Sequence, residues 1–197
     1  MSELLFIRHA ETDMAGTFCG QSDPDLNTRG HAQLSELINR LRKEQIGVVY
    51  TSDLLRARAT AKAIAKAFGV KWHVRPALRE ISFGRWEGIR WEEIERRDQA
   101  YALRWIADYP RLAAPGGENW DDFERRVLEE VKFLSLEAEA CGCQVAVVTH
   151  AGVLRTLLCA LHGYSEDRAW EQTRSYCSAI RHSSAVSCSV QTVAARS

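Results

Sequence analysis

The chain has 197 residues, with 26 Lys and Arg against 26 Asp and Glu, a balance that provides no net field to draw nucleic acid or an anionic membrane. No apolar run reaches the roughly 18 residues of a membrane span, and the N-terminus lacks the features of a secretory signal, so the expectation is a soluble, cytoplasmic protein. The length suits one domain over residues 1–197, and six cysteines without CxxC pairs read as mostly reduced fillers, with the "CGC" at 141–143 a turn and no metal centre.

In chain order, "ELLFI" (3–7), "GVVY" (47–50), "KWHV" (71–74) and "QVAVVT" (144–149) read as strands, and "AVSCSVQTV" (185–193) as an edge strand. Between them run helical stripes: Leu34, Leu37, Ile38 and Leu41; Leu54, Ala57, Ala61, Ile64 and Phe68; Phe123, Val127, Val131 and Leu134. Thr28 and Asn119 stand where N-caps belong, and Gly47 and Gly69 follow the ends of helical patterns. Alternating strands and helices predict an α/β fold, three layers deep (α/β/α), with a mostly parallel central sheet and one edge strand near the C-terminus. Residues 80–118 interrupt the alternation. Their helix stripe of Trp91, Ile94, Tyr101 and Trp105 predicts a cap-like helical insertion over the strand carboxyl ends.

Ligands of open parallel sheets bind at those ends. "LLFI" runs into Arg8 and His9, "VAVVT" into His150, and "VVYTS" into "DLLRAR" with Arg56, so neighbouring strands would bring four such groups into one crevice. Ser52 or Asp53 should cap the helix that follows, which places Arg56 in its first turn, against the positive end of the macrodipole. Arg56 then either pairs with Asp53 or faces an anionic ligand. His150 precedes a helix N-terminus whose free N–H groups favour an anion.

"RHAET", "DLNTRG", "TSDLLRARATA", "LREISFGRWEG", "PGGEN" and "VVTHAGVLR", in that order and spacing, resemble the histidine phosphatase superfamily, the phosphoglycerate mutase-like family, in its small phosphatase branch that includes α-ribazole phosphatases. The resemblance implies metal-independent hydrolysis of a small phosphorylated metabolite, without a cofactor. His9 would be the nucleophile that becomes a phosphohistidine, and Arg8, Arg56 and His150 would surround the phosphate. Glu80 would protonate the leaving oxygen and then activate water. The two cations beside His9 would favour its neutral, nucleophilic form.

The family's usual glycines are replaced by Ala10 and Ala151, and "DMAG" (13–16) lacks the asparagine common in relatives, leaving Gln21, Ser22 or backbone to replace one phosphate contact. Glu11, Thr12 and Glu118 read as structural. His31 and His73 read as surface residues, His162 as a helix terminus, and His182 has no evident partner. Two alternatives stay open: mutase-type phosphoryl transfer, and a phospholigand-binding module of low activity. The edge strand or the insert would be the surface for a homodimer.

Overall fold

A computed structural model of the chain describes residues 3–183 and the backbone of 192–193. Its sheet is built from β1 (Glu3–Arg8), β2 (Ile46–Thr51), β3 (Lys71–Val74), β4 (Gln144–Thr149), β5 (Ala179–Ser183) and β6 (Thr192–Val193) in the order β3-β2-β4-β1-β5-β6. The first four are mutually parallel, while β5 runs antiparallel to β1 and β6 antiparallel to β5. In that order β6, whose Thr192–Val193 lie in the predicted span 185–193, is the edge strand; β5 precedes that span, and residues 185–191 of it lie outside the described residues.

Period-two side-chain alternation in β1 and β4 divides the core in two. Leu4, Phe6, Val145 and Val147 face α5 (Trp120–Cys141) and α6 (Ala151–His162), where they meet Phe123, Val127, Leu134, Leu154 and Leu157. Leu5, Ile7, Ala146 and Val148 face α1 (Thr28–Leu41) and α2 (Leu55–Phe68), against Leu37, Leu41, Ala57, Ala61 and Ile64. Both faces are therefore covered, which is why these strands read as unbroken apolar runs. Truncating Leu4 or Leu5, each buried, would cost about 2–5 kcal/mol.

Local predictions hold at Asn119 and Gly69, the N-cap of α5 and the left-handed C-cap of α2. Three others are displaced. Asn27, one residue before Thr28, caps α1 by accepting from the Gly30 amide. Gly47 lies inside β2 at a register shift against β4, where a Cβ would sit 2.6 Å from that of Cys143; the glycine is needed for close packing and does not stop a helix. Neither Ser52 nor Asp53 caps α2; the amide of Leu55 instead donates to Asp23 Oδ1 (2.5 Å) from a remote loop. Cys141 and Cys143 form a disulfide, whereas Cys19, Cys159 and Cys177 are free.

The insert contains two helices, α3 (Trp91–Arg97) and α4 (Gln99–Ala107), split at Asp98, whose carboxylate accepts from the Tyr101 amide and starts α4 afresh. Trp86, Ile94 and Ala102 form its small core, with Phe18, Trp91 and Trp105 packed against them. A further helix, α7 (Glu166–Thr173), follows α6. No helix of the described residues is long and apolar enough to cross a membrane.

Candidate active site

The order β2-β4-β1 places three strand ends side by side. Arg8 is in register with Thr149, the His9 amide donates to the Thr149 carbonyl (2.9 Å), and the Ser52 amide donates to the Val148 carbonyl (3.2 Å). His9 and His150, far apart in sequence, consequently stand with ring centroids 5.0 Å apart.

Each imidazole is locally constrained. His9 Nδ1 lies 2.7 Å from the Ala10 carbonyl, which can only accept, so Nδ1 carries the proton. Nε2 then holds the lone pair and accepts from Arg56 Nε (3.2 Å). Burial, then the charges of Arg56 and Arg8, push the His9 pKa well below 6.5, against a small opposing effect of the Ala10 bond. His150 Nε2 lies 2.7 Å from Ser52 Oγ, while its buried Nδ1 has no partner. Burial and then Arg56 push its pKa well below the ordinary value too, so both rings are neutral near pH 7.

Arg56, 0% exposed, sits in the first turn of α2 as expected, but Asp53 is not its partner; that carboxylate holds Arg79 in a two-bond pair. Arg56 instead donates to the carbonyls of Ser22 and Gly20, each at 2.6 Å. Arg8 donates to the Thr173 carbonyl (2.9 Å) at the end of α7 and lies 4.1 Å over the Tyr176 ring.

Glu80, also buried, accepts from the amide of Gly152 (2.9 Å) in the first turn of α6 and from that of Ile81 (3.0 Å). A Cβ at position 152 would fall 2.1 Å from Glu80 Oε1, so this site tolerates Ala151 but requires glycine one residue later. The segment carrying Glu80 is fixed by Arg126, which donates to the carbonyls of Ala77, Arg79 and Glu80 and pairs through two bonds with Glu118.

A cleft of about 790 Å³ opens over this floor, and Arg8, His9, Glu80 and Gly152 line it. Arg56 and His150 do not; both stand behind that surface, in contact with His9. Gln21 and Ser22 are absent from the lining too, because Gln21 accepts from Arg79 and Ser22 donates to Glu87. Thr12, Met14 and Gly16 occupy the cleft wall where the missing asparagine's neighbourhood would lie. Glu11 pairs with Arg29 and Asn27, and Thr12 accepts from the Met14 amide. His182 does have a partner, His162, at 3.2 Å.

The sequence pattern concealed Tyr176 and α7, which reach the cleft from the chain's far end, and Arg155, which stands on the expected helix after His150 among its apolar residues. Gly152 was visible only as a letter after "THA".

This geometry matches a known family. Residues 4–185 fit the model of the histidine phosphatase superfamily (branch 1). The chain belongs to that superfamily. It is 35% identical over 162 residues to the metal-independent phosphoserine phosphatase of Arabidopsis thaliana, covering 80% of this chain and 67% of that one. With the adenosylcobalamin/alpha-ribazole phosphatase of Salmonella typhimurium it shares 32% over 161 residues, 80% of this chain and 78% of the relative. Among solved structures, a putative alpha-ribazole-5'-P phosphatase from Escherichia coli superposes with a TM-score of 0.80 at 27% identity, covering 96% of this chain and 93% of the other. This histidine phosphatase is accordingly a phosphomonoesterase of small substrates.

Proposed function

We propose that the enzyme hydrolyses its phosphate monoester without a metal, through a phosphohistidine on His9. The observation that carries this reading is the His9 ring in the cleft lining, with Nδ1–H tied to the Ala10 carbonyl and the Nε2 lone pair accepting from Arg56 Nε–H. Nε2 attacks phosphorus as the bond to the ester oxygen breaks, and Glu80 donates the proton that leaves with the alcohol. Glu80 then takes a proton from water, which attacks the phosphohistidine and releases inorganic phosphate, returning the ring to its neutral form.

Arg8, Arg56 and His150 serve the phosphoryl oxygens. Phosphoryl transfer spreads charge over three oxygens, so fixed cations and donors supply most of the stabilisation. Arg56 already points its Nε–H at the attacking nitrogen. An incoming phosphate oxygen would draw that donor away and free the lone pair. The buried Nδ1 of His150, just behind the cleft surface, has no partner, and a phosphoryl oxygen drawn in against His9 would supply one. Metal independence is supported by the chemistry of these groups and by the Arabidopsis thaliana relative, which is itself a metal-independent phosphatase.

Steady-state hydrolysis of an aryl phosphate and an alkyl phosphate, with chelator present, tests the mechanism. His9→Ala should abolish turnover of both, and Glu80→Gln should slow the alkyl ester far more, because an aryl leaving group needs little protonation. Full activity in His9→Ala, or dependence on added metal, would sink it.

A further inference from the structure

Away from the phosphate end, the cleft is walled by apolar side chains left open to water. Ile106 of α4 is 54% exposed and Trp170 of α7 is 55% exposed, and both line it. Trp105, Tyr109 and Trp120 continue the same lining as a chain of ring contacts, with centroids 5.1 and 6.4 Å apart. The Arg155 guanidinium lies 4.3 Å over the Trp170 ring, which holds the indole in place although little else covers it. The charged groups of the lining, Arg155 and Arg174 against Glu166 and Asp167, have both signs and favour no charged tail.

A cleft of about 790 Å³ falls high in the range of about 300–1,000 Å³ that accommodates a drug-sized ligand. A phosphate ester with a small amino-acid alcohol would fill only its floor and leave the aromatic wall wet. We infer that the alcohol half of the substrate is a large, flat, apolar group, about two rings in size, that covers Trp170 and Ile106 while its phosphate lies at His9. This inference rests on the phosphatase reading above. It makes Trp170 a specificity-determining residue, and it sets the enzyme apart from one built for phosphoserine.

The test compares biphenyl-4-yl phosphate with phenyl phosphate, whose phenols are of closely similar acidity, so that any difference reads the second ring. The wild-type enzyme should prefer the larger ester by about thirtyfold in kcat/KM, chiefly through KM. Trp170→Ala should lower that ratio about tenfold. Leu136→Ser, which alters an equally exposed apolar residue outside the cleft, should leave it unchanged. A ratio near one, or O-phosphoserine ahead of both aryl esters, would overturn the inference; turnover of phenyl phosphate in the same assay would show that the phosphatase reading survives. If no ester turned over, the affinities of the two corresponding phosphonates would decide it by calorimetry, and equal affinities would overturn it.

Discussion

Glu87 and Arg56 grip one short loop, residues 20–22, through opposite sets of backbone groups. The amides of Gly20, Gln21 and Ser22 all donate to the Glu87 carboxylate, as does the Ser22 hydroxyl, while the carbonyls of Gly20 and Ser22 accept from the Arg56 guanidinium. Gly20 permits this approach, since a Cβ there would lie 2.4 Å from Glu87 Oε1 and 2.3 Å from the Ile81 carbonyl. Burial raises the Glu87 pKa, but the Ser22 hydroxyl and the Phe83, Gln21 and Ser22 amides outweigh it, and the carboxylate titrates below its ordinary value. A cap-side carboxylate therefore fixes the arginine that touches His9.

Glu87→Gln replaces one acceptor oxygen with an NH2 group that faces backbone donors. Loosening the loop should lower kcat/KM about tenfold to a hundredfold, the equivalent of about 1–3 kcal/mol for disrupted buried hydrogen bonds. Because Arg56 helps depress the His9 pKa, its retreat should also move the acid limb of the kcat/KM profile to higher pH. In an Arg56→Lys background the same substitution should cost little more. Additive losses and an unmoved acid limb would mean that Glu87 merely stabilises the cap.

Gly152→Ala separates folding from catalysis. The added methyl meets the far end of a flexible side chain, so Glu80 can swing away and the fold should lose less than about 1.5 kcal/mol. Activity on an alkyl phosphate should nevertheless fall at least about a hundredfold, the usual scale of lost general acid–base catalysis. Ala151→Gly, at the cleft surface, should change either quantity little. Parallel thermal melts and kinetics on the three proteins check this, and an active Gly152→Ala enzyme would contradict the assigned place of Glu80.

Much of this site was legible in the sequence because parallel strands bury both faces. The unbroken runs "LLFI" and "VAVVT" fixed where β1 and β4 end, and hence where His9 and His150 stand. Arg56 was legible as a cation in the wrong part of a helix. What could not be read depends on contacts distant in sequence: Asp23 capping α2, Cys143 requiring Gly47, and Glu87 holding the loop. The break at Asp98 was hidden because the stripe from Trp91 to Trp105 keeps helical spacing across it. Trp170 belongs to a short, mostly polar helix that lines the cleft, and no core-facing periodicity announces it.

The buried neutral histidines should make the fold acid-sensitive above the carboxylate range. His9 and His150 have folded pKa values well below the 6.5 expected when unfolded, so above pH 6.5 neither state binds the proton. As the pH falls below 6.5 the unfolded chain takes it up first, and stability should drop by about 1.4 kcal/mol per pH unit for each such group until the folded pKa is reached. His162 and His182, lowered by burial, add to the same window. Urea denaturation between pH 8 and 5 should show this slope, reduced by about one proton in His150→Gln. An unchanged slope in that variant would show that His150 is already charged in the native state.

Arg126 offers the strongest test of how the Glu80 segment is held. Its guanidinium satisfies three carbonyls and the Glu118 carboxylate, and its Cζ lies 4.7 Å from the Phe123 ring centroid. Removing it leaves those acceptors without their donor and a half-buried carboxylate without its cation, a loss of about 2–4 kcal/mol. Arg126→Met, which keeps the apolar stem, should therefore lower the urea midpoint and reduce alkyl phosphate hydrolysis more than aryl phosphate hydrolysis, because Glu80, the proposed proton donor, is what loses its position. Glu118→Gln should reproduce part of the stability loss but less of the kinetic one, since Arg126 still reaches the carbonyls of Ala77 and Arg79. Equal slowing of both esters in Arg126→Met would mean instead that the whole cleft floor has shifted.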